Sequence, residues 1–311
     1  MYDIITIGSS LVDIFVQSHD FSIQKSHEGL MLCQSYGEKI DVDSFVVCSG
    51  GGGSNTAVGF ARMGFRVATI TETGKDPWAD VVIKDFHNES VATNLVIHER
   101  KEATGGSVIL IGNDGGRTVL VHRGASSLLD PKDISVGALN QAKWIHLSSI
   151  SGRLDTLKTL FNALKKRRGK SVLSWNPGKK ELELLREREI HCSEVPVEIF
   201  MVNKEEWQLL AGVRDQLIAT IPQLIITDGA KGVELILGGV RHHYVPTVVE
   251  SVDDTGAGDA FIVGYASAQL YGQLPETAVA WASTNSRNVV GHIGSKKGLC
   301  TKEYMERHAS V

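Results

Sequence analysis

Short apolar runs rich in β-branched residues recur along this chain and alternate with segments whose apolar positions repeat at helical spacing. Residues 4–7, 67–70, 144–147, 171–175, 199–202 and 224–227 read as strands. Helices are predicted over 54–63, 154–167, 204–211, 256–271 and 275–290 from spacing and capping residues. Strands alternating with helices imply an α/β fold, with a doubly wound, mostly parallel central sheet and helices on both faces.

Two regions break this rhythm, 13–47 and 94–123. In the second, 107–111 and 118–122 flank Asn113-Asp114-Gly115-Gly116 and read as a hairpin. Both regions are expected to be insertions that build a small β-sheet lid over the C-terminal ends of the main strands, where ligands of open α/β sheets bind. Ordinary surface hairpins are the plainer alternative. The chain shows neither internal repeats nor a Pro/Ser-rich linker, so all 311 residues are read as one domain.

Composition narrows the picture. Lysine plus arginine number 32 against 36 acids, a formal charge of -4, which argues against nucleic acid or an anionic membrane as partner. Cys33, Cys48, Cys192 and Cys300 are scattered without a CxxC pair, which fits neither a zinc site nor a disulfide framework. The start Met1-Tyr2-Asp3 runs straight into apolar residues without a basic leader, and a cytoplasmic setting is expected. The uncharged stretch 260–275 is too short and too polar to span a membrane and reads as a core helix.

The candidate chemistry sits in glycine-rich turns. Gly256-Ala257-Gly258-Asp259 follows a strand and loop and opens a helix, where unpaired amides and the helix dipole favour phosphate oxygens. Asp259 in that first turn either complements the dipole or accepts a proton from an attacking hydroxyl. Gly50-Gly51-Gly52-Gly53-Ser54-Asn55 also leads into a helix; it is read as close backbone contact with a hydroxylated ligand, or as a hinge with a cap. Asn203 and Glu206 have the spacing of a capping box and also offer hard oxygens for a water-rich Mg²⁺. A Walker motif is absent, since Gly169-Lys170-Ser171 has Leu164 where its first glycine belongs. Gly8-Ser9-Ser10-Leu11-Val12-Asp13 likewise lacks the GxGxxG of a nicotinamide site.

In this order the motifs resemble the ribokinase-like (PfkB) family of sugar and nucleoside kinases. The resemblance rests on the glycine run through Asn55 to Gly64, Asn203 with Glu206, the stretch Thr227-Asp228-Gly229-Ala230-Lys231-Gly232, and Asp253 through Phe261. It implies ATP-dependent phosphorylation of a sugar hydroxyl, with a nucleoside kinase or a catalytically silent sugar-binding regulator as alternatives. Asp259 matches the catalytic base, and Gly256, Ala257 and Gly258 match the anion hole. Asp13, Gly51, Gly52 and Asn55 match the acceptor contacts, and Asn176, Thr227, Gly229, Gly232 and Asn285 the nucleotide side. The resemblance also implies Mg²⁺ held through water by Asn203 and Glu206, K⁺ near Asp253, Gly294 and Gly298, and a homodimer paired through the lid. Within the lid, Phe15, Tyr36 and Phe45 are candidates to stack on a nucleobase, and Lys39, Arg100, Lys101, Arg117 and Arg123 to meet a phosphosugar. Solvated charges are the commoner use of such residues, so an unphosphorylated acceptor is expected.

Overall fold

Ile4–Ile7 is buried at every position, a pattern that suits a central parallel strand covered on both faces. The computed structural model describes residues 1–309 apart from 28, 115, 167–171, 246, 248 and 250. Its strands are β1 (Ile4–Ile7), β2 (Leu11–Gln17), β3 (Ser22–Ser26), β4 (Gly29–Cys33), β5 (Ser44–Gly50), β6 (Val67–Thr73), β7 (Val96–His98), β8 (Gly105–Ile111), β9 (Arg117–His122), β10 (Trp144–Leu147), β11 (Val172–Trp175), β12 (Ile199–Asn203), β13 (Gln223–Thr227), β14 (Val233–Leu237) and β15 (Val240–Tyr244).

The large sheet runs β15-β14-β13-β12-β11-β10-β1-β6-β7. β1 lies at its centre, parallel to β10 and β6, with Ile4 opposite Trp144 and Val67. Alternate residues feed two cores. Ile5 and Ile7 join Leu157, Phe161, Trp175 and Phe200 on one face, and Ile4 joins Phe60, Trp144, Phe261 and Trp281 on the other. All six predicted strands are present, and the helix Pro275–Val290 has the predicted ends. Gly115 of the predicted turn, Arg167 of one predicted helix and Ser171 of one predicted strand lie outside the described residues, as do Gly169 and Lys170.

The antiparallel edge β13-β14-β15 was not predicted. Its signal was present: Gly238-Gly239, with φ of 53° and 88°, makes the two-residue turn that a hairpin of this hand requires. The helix Pro77–Asn88 was also missed, although Asp76 accepts from the Ala79 amide and Pro77 stands in the first turn, both start signals.

A second sheet, β5-β2-β8-β9, stands apart from the first. β2 pairs antiparallel with β5 and parallel with β8, and β8 pairs antiparallel with β9. β7, between the two sheets in sequence, joins the large one beside β6, and β3 and β4 form a separate ribbon. Among the described residues, no helix is long and apolar enough to cross a membrane.

The helices Ala257–Leu270 and Pro275–Val290 pack most intimately, because residues 260–268 of the first are buried without interruption. Gly264 lets the backbones meet: a Cβ there would lie 2.7 Å from Ala282 Cα and 2.8 Å from the Trp281 carbonyl oxygen. Gly264→Ala is therefore expected to destabilise the fold by about 1–3 kcal/mol, despite the better helix propensity of alanine. Urea unfolding reads this directly, and a midpoint equal to or above wild type would refute the close contact.

Candidate active site

β5 ends at Gly50, and the chain passes through Gly51 into the helix Gly52–Arg62. This passage touches two carboxylates. A Cβ at Gly50 would fall 1.8 Å from Asp13 Oδ2, and one at Gly52 would lie 2.9 Å from Ser148 Cβ and 3.4 Å from Asp259 Oδ1. Gly51 has φ 94°, a conformation that side chains disfavour. The glycine run thus brings bare backbone against both acids at once.

Asp259 lies in the first turn of the helix Ala257–Leu270, whose N-cap Gly256 is left-handed with φ 82°. The first intrahelical bond runs from the Ala260 amide to the Gly256 carbonyl at 2.8 Å. The amides of Gly258 and Asp259 precede it and face the helix mouth, while the Ala257 amide donates to the Asp254 carbonyl at 3.2 Å. Asn55 Nδ2 donates to Asp259 Oδ2 at 2.8 Å, and Ser295 Oγ donates to Asn55 Oδ1 at 2.8 Å. Burial pushes the Asp259 carboxyl above the usual carboxylate range; the Asn55 hydrogen bond and the Lys296 charge oppose it. An acid held this way binds a proton more readily than a solvated one.

Asp13, on β2, is buried and accepts from Ser107 Oγ on β8. Burial raises its pKa too, with Ser107 and Lys296 opposing. Lys296 was not anticipated. Its Nζ donates to Ser54 Oγ at 2.6 Å and Asp85 Oδ2 at 2.7 Å, and also reaches Ser49 Oγ, so it clamps both ends of the glycine run. Ser107, Ser148 and Ser295 were missed as well; serines have no local signature when their partners are remote in sequence.

The residues that the resemblance matches to a nucleotide separate into two sets. Thr227, Gly229, Gly232 and Asn203 line a cavity of about 610 Å³ that Ala257 and Gly258 bound at its inner end, with Ser283, Ser286, Arg287 and Val290 along one wall. Asn285 does not reach it. That side chain is fully buried, donating to the Ala260 carbonyl at 2.7 Å and accepting from the Cys300 amide at 2.9 Å. The neighbouring Ser286 faces the cavity instead, one step round the helix. Asn176 is also outside the lining; its Nδ2 donates to the Met201 carbonyl at 2.9 Å.

Asn203 and Glu206 form the reciprocal capping box, each oxygen accepting the other residue's amide at 2.8 Å. Burial raises the Glu206 pKa. Asp253 Oδ1 accepts from Arg117 Nη1 at 2.8 Å and from the Thr255 amide and hydroxyl at 2.9 and 2.6 Å, while Oδ2 accepts from the Gly294 amide at 2.9 Å. The Gly298 carbonyl accepts from Asn288 Nδ2 at 2.6 Å.

The profile of the pfkB family carbohydrate kinases matches residues 3–302. The chain is similar to the fructokinase of Escherichia coli, 28% identical over 70% of this chain and 75% of that protein. It is also similar to the deoxyribokinase of Salmonella typhi, 26% identical over 84% and 83%. A structure from Escherichia coli solved with ATP and Mg²⁺ superposes with a TM-score of 0.81 at 19% identity, covering 99% of both chains, a likeness that establishes the fold.

Below the site, His146 of β10 is fully buried, with Nδ1 2.9 Å from Ser174 Oγ and Nε2 3.3 Å from Ser148 Oγ. Burial pushes this imidazole down to about 3 from an ordinary 6.5. The unfolded chain then binds the proton first, so the stability that His146 contributes is full above about pH 6.5 and is lost as pH falls toward 3. Relative to His146→Asn, wild type should lose about 1 kcal/mol between pH 7 and 5.5. Paired urea titrations measure this, and a pH-independent difference would mean that the ring is not held neutral.

Proposed function

Because the chain belongs to the pfkB family of carbohydrate kinases, and so is a phosphotransferase with a hydroxyl acceptor, we propose that it transfers the γ-phosphate of ATP to a small unphosphorylated sugar, with Asp259 as general base. The observation that carries the reading is the Asp259 carboxylate, raised in pKa and aimed by Asn55 at the mouth of a helix that opens on the 610 Å³ cavity. In the proposed step the acceptor O–H bond breaks and its proton passes to Asp259. The freed oxygen forms a bond to the γ-phosphorus as the bond to the bridging oxygen breaks and ADP departs. The turn Gly256–Gly258, with the Gly258 and Asp259 amides, receives the charge on the transferred group.

Asp13, Gly51, Gly52 and Asn55 would hold the acceptor, since a carboxylate can accept two hydroxyls of one diol and the glycines give access to bare backbone. Thr227, Gly229, Gly232 and Asn203 would line the nucleotide, with Ser286 in the place assigned to Asn285. Mg²⁺ would be held through water by Asn203 and Glu206. Each capping oxygen takes one amide and keeps a lone pair for a metal-bound water, which suits an ion that dehydrates reluctantly. The ion would supply charge neutralisation on the phosphates.

Side chains of the small sheet favour a plain sugar over the alternatives. Phe15 is packed inside with Ile109 and Ile111, and Tyr36 is fully solvent-exposed, so neither is set to stack on a nucleobase. Among the described residues of the lid regions, Arg117 is bound to Asp253, and Lys39, Arg100, Lys101 and Arg123 are exposed in the manner of solvated charges, which favours an unphosphorylated acceptor. The small sheet would act as the lid, and its exposed Phe45 and Leu120, on the face turned away from Asp13, suit a homodimer through that face.

Asp259→Asn should lower kcat by about 10²–10⁴ and leave acceptor and ATP affinities within a few-fold. ADP release across ribose, deoxyribose, fructose, glucose and adenosine identifies the acceptor, and isothermal titration supplies the affinities. Unchanged kcat in the variant would remove Asp259 from the role of base.

A further inference from the structure

Asp253 is a heavily engaged carboxylate beside the anion-hole turn. It is 5% exposed, and its four hydrogen bonds reach three separate segments: Arg117 at the start of β9, Thr255 in the turn before Gly256, and Gly294 in the loop that follows the helix Pro275–Val290. The last two segments meet at the anion-hole turn. Gly256 packs against Ser295, where a Cβ would lie 2.5 Å from the serine Cβ, and Ser295 in turn orients Asn55 on Asp259. A shift of Asp253 would thus move both the helix mouth and the base.

A carboxylate withdrawn from water needs a counter-charge. The resemblance to other sugar kinases supplies K⁺ beside Asp253, Gly294 and Gly298, but the groups present do not fit a shared cation. Asp253 already carries a guanidinium and three further donors, and the Gly298 carbonyl accepts from both Asn288 Nδ2 and Cys300 Sγ.

We infer that Arg117 is the built-in counter-charge of the anion-hole loop, so that the protein needs no monovalent cation for turnover. The inference rests on the kinase reading and assigns Arg117 as a positioning residue, since it acts through Asp253 and touches no reacting atom. Its place on β9 adds a second consequence. The charge belongs to the small sheet, so the loop is fully ordered only when that sheet is seated on it, which links enclosure of the acceptor to assembly of the anion hole. A fixed guanidinium also differs from a bound ion in geometry: its planar fork holds direction as well as charge.

The test compares wild type, Arg117→Ala, Arg117→Lys and Asp253→Asn in potassium chloride and in tetramethylammonium chloride at equal ionic strength. Wild-type kcat should agree within about twofold in the two salts. Arg117→Ala should lose about 10–100-fold in kcat with a smaller change in acceptor KM, as expected when reacting groups are misplaced. Millimolar guanidinium should restore part of that loss, and Arg117→Lys should fall between. Thermal unfolding gives a readout that needs no acceptor: wild-type Tm should be the same in both salts, and Arg117→Ala should unfold several degrees lower. Activation of wild type more than about tenfold by K⁺, a K⁺-specific rise in its Tm, or Arg117→Ala turnover within twofold of wild type would each overturn the inference. Absence of turnover in wild type with every acceptor would instead count against the proposed function, and the Tm comparison would still decide the cation.

Discussion

Bare backbone passing between a buried acid, a half-buried one and the end of the central strand is the constraint on which the rest of the site depends. A Cβ at Gly53 would lie 2.7 Å from the carbonyl carbon of Gly8, one at Gly50 would overlap an oxygen of Asp13, and one at Gly52 would strike Ser148 beside Asp259. Such distances leave no room for a methyl group, so the chain can pass here only as glycine. The helix that follows starts inside the contact, and its first turn therefore delivers Asn55 to Asp259 although the two are 204 residues apart. Without that passage neither carboxylate would have its present neighbour.

Holding acids in so crowded a place is an electrostatic problem, and three acids are handled in two ways. Asp253 has a guanidinium partner and three neutral donors. Asp13 and Asp259 have only neutral hydrogen bonds and share the more distant charge of Lys296, and burial raises both. Lys296 is itself anchored by Asp85. Burial depresses it while Asp85 sustains its charge, so the lysine acts at a distance on the acids and by contact on Ser49 and Ser54. The difference matters chemically. A carboxylate raised by burial, with only neutral donors and a distant charge beside it, takes a proton more readily than a solvated one.

Much of this could be read from the sequence because it is written locally. β1 and β10 show as short, mostly apolar runs, and Gly256 to Asp259 show as a helix start with an acid in the first turn. What stayed hidden depends on partners brought together by folding. Arg117 reads as a phosphosugar contact or a solvated charge until β9 lands on Asp253, and Lys296 carries no local signal until its loop lands beneath the glycine run. Asn285 illustrates the converse: a polar residue midway along a helix looked available, yet both ends of its amide are engaged inside the protein. Helical periodicity fixes which residues share a face, and which of two adjacent faces meets the cavity is settled only by how the helix Pro275–Val290 rotates against its neighbour.

The division of these contacts bears on how a phosphotransferase avoids wasting its donor on water. Asp259 takes its direction from Asn55, in the glycine-run helix beside Asp13, and its amide surroundings from the helix mouth at the end of the cavity. Neither half contains the whole catalytic geometry. The Asp253 carboxylate then ties that mouth to a strand of the small sheet, so a small sheet lifted from the loop would leave the mouth without its counter-charge. On the proposed role of Asp259, a base whose surroundings are complete only when three separately folded segments converge would be poorly placed to activate water in an open cleft, and well placed to activate a hydroxyl enclosed beneath the sheet.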